Sequence, residues 1–256
     1  MNQMALRIVG LLAIWSLATT ARGGLFTWSG SQTLPDGNPS GVAYQNNWTF
    51  GPGLEVTDVS LTFSISGGWN GDLYAYLTHV PSGDGAGESL VLLNRVGVGN
   101  DSGALYIFGY SGDGFDNITL RDDGLSPVGN IHNYGGSTLN STLTAGSHWN
   151  PDGQAVNPLG DPLNFSASGG SDTFSSKFGS INPSGTWTLF FADLSSGGQA
   201  TLTGWSLNIE AVPEPVNVAL GIFGGVVGSA ILVRSKPVRR RIQRWRAAAA
   251  AWMDAV

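Results

Sequence analysis

Residues 58–66 read Asp-Val-Ser-Leu-Thr-Phe-Ser-Ile-Ser and decide the fold class. Val59, Leu61, Phe63 and Ile65 alternate with polar residues, and a period of two is typical of a strand that buries one face. A similar alternation or an apolar run is found at residues 73–77, 89–96, 186–191 and 205–211. Short strands separated by glycine, asparagine, aspartate and serine predict an all-β chain, folded as an antiparallel β-sandwich or jelly roll.

The remaining segments are patterned less clearly. Residues 97–185 are rich in glycine, asparagine and serine, and within them we expect short strands at 104–110 and 117–121 joined by surface loops. Residues 194–200 contain two glycines and lie between the last two predicted strands. We expect this loop to close a hairpin.

The charge distribution excludes one class of partner. Residues 24–212 contain 16 acidic and three basic residues, a net charge of −13. Nucleic-acid binding needs neutralisation of phosphates, so we expect no nucleic-acid partner. The chain has no cysteine, which excludes disulfides and thiolate metal sites.

The N-terminus has the features of a secretory signal. Arg7 precedes the mostly apolar residues 8–18, which are too few for a comfortable membrane span, and small residues follow. We expect residues 1–23 to form a signal helix that signal peptidase removes near Ala21 or Gly23.

The C-terminus has a longer apolar segment. Residues 216–233 contain no charged side chain, and seven lysine and arginine residues follow between Arg234 and Arg246. This length just spans a bilayer, and flanking positive charge favours the cytoplasmic side. We therefore expect one transmembrane helix at 216–233, a cytoplasmic tail at 242–256 and a globular domain on the outside.

A short motif stands directly before this span. Pro213-Glu214-Pro215, the apolar span and the cluster Arg239-Arg240-Arg241 follow one another within residues 213–241. This order resembles the PEP-CTERM sorting signal of Gram-negative bacteria. The resemblance implies processing by an exosortase near the Pro-Glu-Pro motif, after transient anchoring in the inner membrane, and delivery to the outer surface or extracellular matrix. The family usually ends soon after its basic cluster, whereas this chain continues to Val256.

A second resemblance covers roughly residues 33–211. The segments that carry it include Leu34-Pro35-Asp36, Gly71-Asp72-Leu73, Gly114-Phe115-Asp116, Gly185-Thr186-Trp187-Thr188-Leu189, Asp193 and Trp205-Ser206-Leu207. They resemble the P domain, or Homo B domain, of kexin-like and bacterial subtilisin-type proprotein convertases. The resemblance implies a galactose-binding-like jelly roll over residues 24–212. In those proteases the domain follows a catalytic domain, whereas here we expect it to stand alone.

The sequence favours a protein without catalytic activity. Its three histidines, His79, His132 and His148, lie in no Gly-x-Ser-x-Gly or His-Glu-x-x-His motif. Each is expected to be a surface histidine, and we expect no enzyme.

Two classes of ligand, calcium and carbohydrate, remain open. For each, the alternative is that the residues have only a structural role. Carboxylates in glycine-rich loops suit calcium, and the candidates are Asp101, Asp113, Asp116, Asp122 and Asp123. The alternative is that these residues only form turns and caps, the role we also expect for Asp72 before its strand. Trp28, Trp48, Trp69 and Trp149 stand outside the clearest strands, and they either stack on carbohydrate or fill the ends of the core.

The leading hypothesis is therefore a non-catalytic, exported surface or extracellular-matrix protein, with exopolysaccharide as a candidate partner. The alternative is a secreted calcium- or carbohydrate-binding module. A weaker alternative is an accessory domain that partners a separate protease.

Overall fold

The computed structural model describes residues 22–83, 86–101, 104–122, 129–135, 142–144, 148–214, 219–221, 223, 224, 226 and 227. Residues 21–212 form one compact unit, and residues 1–20 and 213–256 form a second. Within the second unit residues 219–221, 223, 224, 226 and 227 are helical. The described part of the chain holds no helix that is long and apolar enough to cross a membrane. The predicted signal segment and the cytoplasmic tail lie outside the described residues, except Arg22 and Gly23, as does most of the predicted span.

The first unit is built from two facing sheets that are mainly antiparallel. Among the described residues, the first sheet has six strands in the order β1-β12-β3-β8-β10, with β9 also pairing with β8. Its strands are β1 (Arg22–Thr33), β3 (Leu54–Ser66), β8 (Gly114–Arg121), β9 (Leu143–Thr144), β10 (His148–Trp149) and β12 (Thr201–Pro213). The two-residue strands β9 and β10 pair with β8 in parallel.

The second sheet has four strands in the order β2-β11-β4-β5. They are β2 (Asn38–Trp48), β4 (Leu73–Pro81), β5 (Glu88–Asn94) and β11 (Gly185–Asp193), and each neighbouring pair is antiparallel. A separate ribbon joins β6 (Gly99–Asp101) to β7 (Ala104–Tyr106).

The alternation in the sequence places the core between the two sheets. Phe63 and Ile65 of β3 and Phe191 of β11 are each 1–2% exposed, and the rings of Phe63 and Phe191 meet with centroids 5.9 Å apart. Burying one such side chain contributes roughly 1.5–3 kcal/mol. The sequence prediction of a β-sandwich is confirmed.

The predicted strands are confirmed at β3, β4, β5, β11 and β12, but the connection from β11 to β12 is not a hairpin. β11 pairs with β2 and β4, whereas β12 pairs with β1 and lies beside β3 in the other sheet. Residues 194–200 therefore cross between the sheets. Facing sheets lie ~10 Å apart, and seven residues span that distance easily.

The long central segment combines short elements, as predicted. The expected strand at 104–110 is shortened to β7, and the strand expected at 117–121 is lengthened to β8. Within this segment, 3₁₀ turns occur at Ile131–Asn133 and Pro162–Asn164, and the helix α1 spans Phe174–Phe178. A further 3₁₀ turn, Asn70–Asp72, precedes the segment. Thr173 and Ser176 cap α1 reciprocally, and Phe174 and Phe178 enter the core.

The turn Asn70–Asp72 closes one end of the sandwich. Asn70 is fully buried, and its side-chain amide donates to the Gly114 carbonyl (3.0 Å) and to the Tyr134 hydroxyl oxygen (2.8 Å). Its side-chain oxygen accepts the Gly114 amide (2.9 Å). Gly114 has φ +99°, and a Cβ there would lie 2.2 Å from the Ile65 carbonyl oxygen, so glycine is required. These contacts fix the residues that follow, including Asp72.

Candidate ligand-binding cleft

The predicted calcium ligands do not converge on one point. Asp113 directly precedes β8 and Asp122 directly follows it, with Asp116 exposed within the strand. An eight-residue strand is roughly 26 Å long, so Asp113 and Asp122 cannot share an ion. The Asp101 side chain and the whole of Asp123 lie outside the described residues. Asp113 and Asp122, two of the five candidate calcium ligands, therefore lie at opposite ends of β8.

Asp122 has a structural role instead. One of its carboxylate oxygens accepts the Ser175 backbone amide and the Ser175 hydroxyl (2.8 Å), at the N-terminal turn of α1. Carboxylates at this position satisfy amides that have no partner within the helix. Across the described residues, no three aspartate, glutamate or histidine side chains form a group that could hold a metal ion.

Two of the three histidines are buried, contrary to the sequence expectation. His79 is fully buried, stacks on Trp187 with ring centroids 4.0 Å apart, and its Nε2 lies 2.8 Å from the Asn182 carbonyl oxygen. His79 continues the inward alternation of Leu73, Ala75 and Leu77 in β4, so the period of two could have predicted its burial. His148 is half-buried in β10.

His132 forms a fully buried pair with Asp152. The Nδ1 atom of His132 lies 2.6 Å from Asp152 Oδ2, and its Nε2 donates to the Val98 carbonyl at 2.7 Å. Asp152 also accepts the backbone amides of Asn94 (3.0 Å) and Gln154 (3.3 Å). Every polar atom of the pair has a partner and neither side chain is exposed, so the pair holds the fold together and offers no surface to a substrate.

The structure separates the four tryptophans singled out in the sequence. Trp28 and Trp48 pack against the core, and Trp149 is only 7% exposed within it. Trp69 is 46% exposed, beside the turn Asn70–Asp72. Of these four, Trp69 is the one with an exposed side chain, whereas Trp48 is half-buried beside a smaller pocket of about 300 Å³.

An open cleft of about 620 Å³ lies beside Trp69. Its lining consists of Gly37, Trp69, Asp72, Phe108 and residues 194–198. Phe108 is 65% exposed, so two aromatic rings stand at the cleft with Asp72 and the hydroxyls of Ser195 and Ser196. The volume is in the range of small-molecule sites in proteins.

The position of Phe108 depends on Gly71 and Arg95. A Cβ on Gly71 would lie 2.3 Å from the Phe108 carbonyl oxygen, so the two backbones approach more closely than any larger residue permits. Arg95 bridges the same segments, because its Nε donates to the Gly71 carbonyl and its Nη2 to the Ile107 carbonyl, each at 3.3 Å. The exposed ring is thus carried by an anchored backbone.

Three carboxylates lie at this end of the sandwich. The Gly197 amide donates to both oxygens of Asp36 (3.2 and 3.3 Å), and the Leu194 amide donates to the Asp72 carbonyl (2.8 Å). The Ala200 amide donates to Asp193 Oδ2 at 3.3 Å. Asp193 is fully buried, and its Oδ1 has no hydrogen bond of ordinary geometry within the described residues.

Burial and the charges of nearby carboxylates make Asp193 and Asp72 costly to ionise. Burial raises the pKa of Asp193 to about 6, and the nearby Asp72 and Asp36 add to the rise, against the Ala200 and Ser195 amides that lower it. Burial also raises the pKa of Asp72, although a hydrogen bond from the Ser195 side chain and the charge of Arg95 oppose that shift. Arg95 is the cation whose charge acts on Asp72. A cation from outside would relieve this repulsion.

Sequence reasoning placed none of these three carboxylates in a ligand site. Asp36, Asp72 and Asp193 stand 36 and 121 residues apart along the chain. The expectation that Asp72 ends a turn before its strand is confirmed, since it is the last residue of the turn Asn70–Asp72. The one available signal was that each of the three lies at or next to the end of a strand. Loops at one end of a sandwich cluster together.

No family model matches the chain, and no curated protein matches it. One solved structure with similarity to it is the crystal structure of the Aeromonas sobria serine protease and chaperone complex. The TM-score is 0.38 with 16% sequence identity, and the match covers 76% of this chain. The chain spans only 28% of the length of the chain that it matches.

Proposed function

We propose that this protein is a non-catalytic binding module that is exported and displayed on the outer surface or in the extracellular matrix. The β-sandwich of residues 22–212 is the displayed part, and residues 213–241 are the sorting segment. Signal peptidase and an exosortase-like enzyme are the processing partners. The order of Pro213-Glu214-Pro215, an apolar span and Arg239-Arg240-Arg241 supports this export route.

The sandwich is proposed to be a P-domain-like jelly roll that stands without a protease. The motif order from Leu34 to Leu207 supports this relationship. Two facing sheets with a common core are what such a domain requires. The buried His132–Asp152 pair supports a role without catalysis, because it is enclosed on all sides.

One observation carries the binding role: the cleft beside Trp69 combines two exposed rings with the carboxylate of Asp72, and it adjoins the buried Asp193, whose Oδ1 has no hydrogen-bond partner within the described residues. A folded domain gains nothing from ionised carboxylates that repel one another. Such an arrangement is retained where a ligand compensates it, and functional sites are enriched in groups with shifted pKa.

The export route is tested by the intact mass and terminal peptides of the protein recovered from the surface of its cells. We expect the chain to begin near residues 21–24 and to end near residues 213–215. Recovery of chains that still contain residues 239–256 would contradict exosortase processing and leave a membrane-anchored ectodomain.

Calcium is the second candidate ligand, favoured by the unpartnered Oδ1 of Asp193. Calcium prefers carboxylate and carbonyl oxygens, so the ion would be held by the Asp193 carboxylate with backbone carbonyls, because no three carboxylates of the described residues form a joint metal site. Ligand at about 100 times its dissociation constant adds about 2.7 kcal/mol to the free energy of unfolding. For a domain of this size the melting temperature then rises by ~5–10 °C.

The calcium experiment compares melting temperatures of the full chain in detergent, with calcium and with a chelator. Asp193→Asn should abolish the difference, whereas the matched control Asp116→Asn, which alters an exposed carboxylate away from the cleft, should preserve it. An unchanged melting temperature with saturating calcium would exclude a calcium site at these residues.

A further inference from the structure

We propose that the cleft beside Trp69 binds a cationic amino sugar, of the glucosamine type, within an extracellular glycan. The proposal rests on the proposed binding role of the cleft and names its ligand class. The sugar ring stacks on Trp69 or Phe108, and its ammonium group pairs with Asp72.

The aromatic rings indicate a ligand with a flat apolar face. Trp69 is 46% exposed and Phe108 is 65% exposed, whereas Trp149, Trp187 and Trp205 are at most 7% exposed. Both exposed rings line the same cleft. Aromatic side chains bury a large apolar area at low cost in conformational freedom, and the C–H face of a pyranose is a matching surface.

The charge of the cleft indicates that the ligand is cationic. Asp72 lines it, and the charges of Asp72 and Asp36 disfavour the ionised form of the neighbouring Asp193. The guanidinium of Arg95 already donates to the Gly71 and Ile107 carbonyls. A neutral sugar leaves the carboxylates as they are, whereas an ammonium group offsets their repulsion and also interacts favourably with the ring faces.

The remaining lining suits the hydroxyls of a sugar. Ser195 and Ser196 supply side-chain groups that both donate and accept hydrogen bonds. Gly197 and Gly198 leave the backbone of the loop open to a close approach, and the Cβ position of Gly197 meets no atom within 4 Å. Rings, hydroxyls and carboxylates together match an amino sugar better than a bare metal ion or an alkyl amine.

The experiment compares three hexasaccharides with the same β-1,4-linked glucose-type backbone and different groups at carbon 2. They are the glucosamine hexamer, the N-acetylglucosamine hexamer and cellohexaose, titrated into the full chain in detergent slightly below neutral pH. We expect the glucosamine hexamer to bind at least about tenfold more tightly than either neutral hexamer. We also expect its affinity to fall as salt is raised, since exposed charge pairs are screened.

Variants locate the binding. Trp69→Ala and Asp72→Asn should each weaken binding of the glucosamine hexamer by about tenfold or more. The matched controls are Tyr106→Ala, an exposed ring that is not among the residues lining the cleft, and Asp116→Asn, an exposed carboxylate away from it. Both controls should bind as the unchanged protein does.

Four results would overturn the proposal. Equal affinity for cellohexaose would show a neutral sugar site, and equal affinity for hexalysine would show a general cation site. Absence of binding to the glucosamine hexamer, or binding unaffected by Trp69→Ala and Asp72→Asn, would show that the cleft is not a binding site for this sugar. If calcium raises the melting temperature and Asp193→Asn abolishes that rise, the proposed binding role is still supported even when the amino-sugar proposal fails. Failure of the amino-sugar proposal is therefore distinguishable from failure of the proposed function.

Discussion

The same sandwich contains two fully buried aspartates, Asp152 and Asp193, whose surroundings differ in opposite ways. Asp152 meets His132 at 2.6 Å and accepts two backbone amides, so each of its oxygens has a partner. Asp193 is equally buried, yet its Oδ1 has no partner within the described residues, and its nearest charged neighbours include Asp72 and Asp36. Asp152 is thus fully partnered within the fold, whereas Asp193 is not.

The difference follows from where the two groups lie. His132 stands in the turn Ile131–Asn133 and donates through Nε2 to Val98, because a carbonyl only accepts. Another proton then lies between His132 Nδ1 and Asp152 Oδ2. The enclosed pair therefore needs no hydrogen bond from water. Asp193 instead ends β11 where the chain crosses to the other sheet, next to the residues that line the cleft. The proposed binding role therefore concerns the carboxylate beside the cleft and not the enclosed Asp152.

The largest effect is expected from Asp152→Ala. It leaves a fully buried imidazole and two amides without their acceptor, and breaking a buried pair in this way costs about 3–5 kcal/mol. Chemical unfolding of the full chain in detergent measures the loss. The double variant with His132→Ala should cost less than the sum of the two single variants, and additive costs would contradict a coupled pair.

Asp193→Asn should act in the opposite direction. The folded pKa of Asp193 is about 6, above its ordinary value of 3.8, so ionisation of this group is costlier in the folded chain. At neutral pH the substitution should therefore raise the free energy of unfolding, by up to about 3 kcal/mol. The retained amide oxygen still accepts the Ala200 amide.

The pH dependence of this gain has a defined sign. A raised folded pKa means that the carboxyl costs nothing below its unfolded pKa and destabilises progressively as the pH rises through about 6. The advantage of Asp193→Asn should vanish near about pH 4 and reach a plateau above about pH 7. An advantage that is constant over this range would show that charge is not its cause.

The smallest effect on stability is expected from Trp69→Ala. Because this ring is 46% exposed, removing it should change the free energy of unfolding by only about 0.5 kcal/mol. Trp149→Ala is the contrasting variant, since a ring that is 7% exposed costs about 3–5 kcal/mol when it is removed. If Trp69→Ala lowered the free energy of unfolding by several kcal/mol, Trp69 would belong to the core. Its ring would then not be available to a ligand in the cleft.

The sequence predicted the sheets well and the site poorly, for one physical reason. Alternation at residues 58–66 depends on neighbours along the chain, and it identified β3 and its inward face correctly. The cleft depends on the sheet to which each strand belongs, and the supposed hairpin at 194–200 crosses between sheets. Asp193 and Asp72 are therefore neighbours only in the folded chain.

The same limit explains the separation of the candidate calcium ligands and the burial of His132. Asp113, Asp116 and Asp122 are close in sequence, but an extended strand separates them, whereas a helix would have kept them near one another. His132 lies in a weakly patterned segment, and its burial depends on Asp152, 20 residues later. Local sequence spacing carries no information about either arrangement.

The titration of the Asp193 carboxyl, followed by carbon NMR with Asp193→Asn for assignment, tests the central claim most directly. We predict titration near pH 6 in the free protein and a clear fall of this pKa when the glucosamine hexamer is added. An ordinary pKa near 3.8 in both states would contradict the account, because the cleft would then hold no uncompensated negative charge for a cation to relieve.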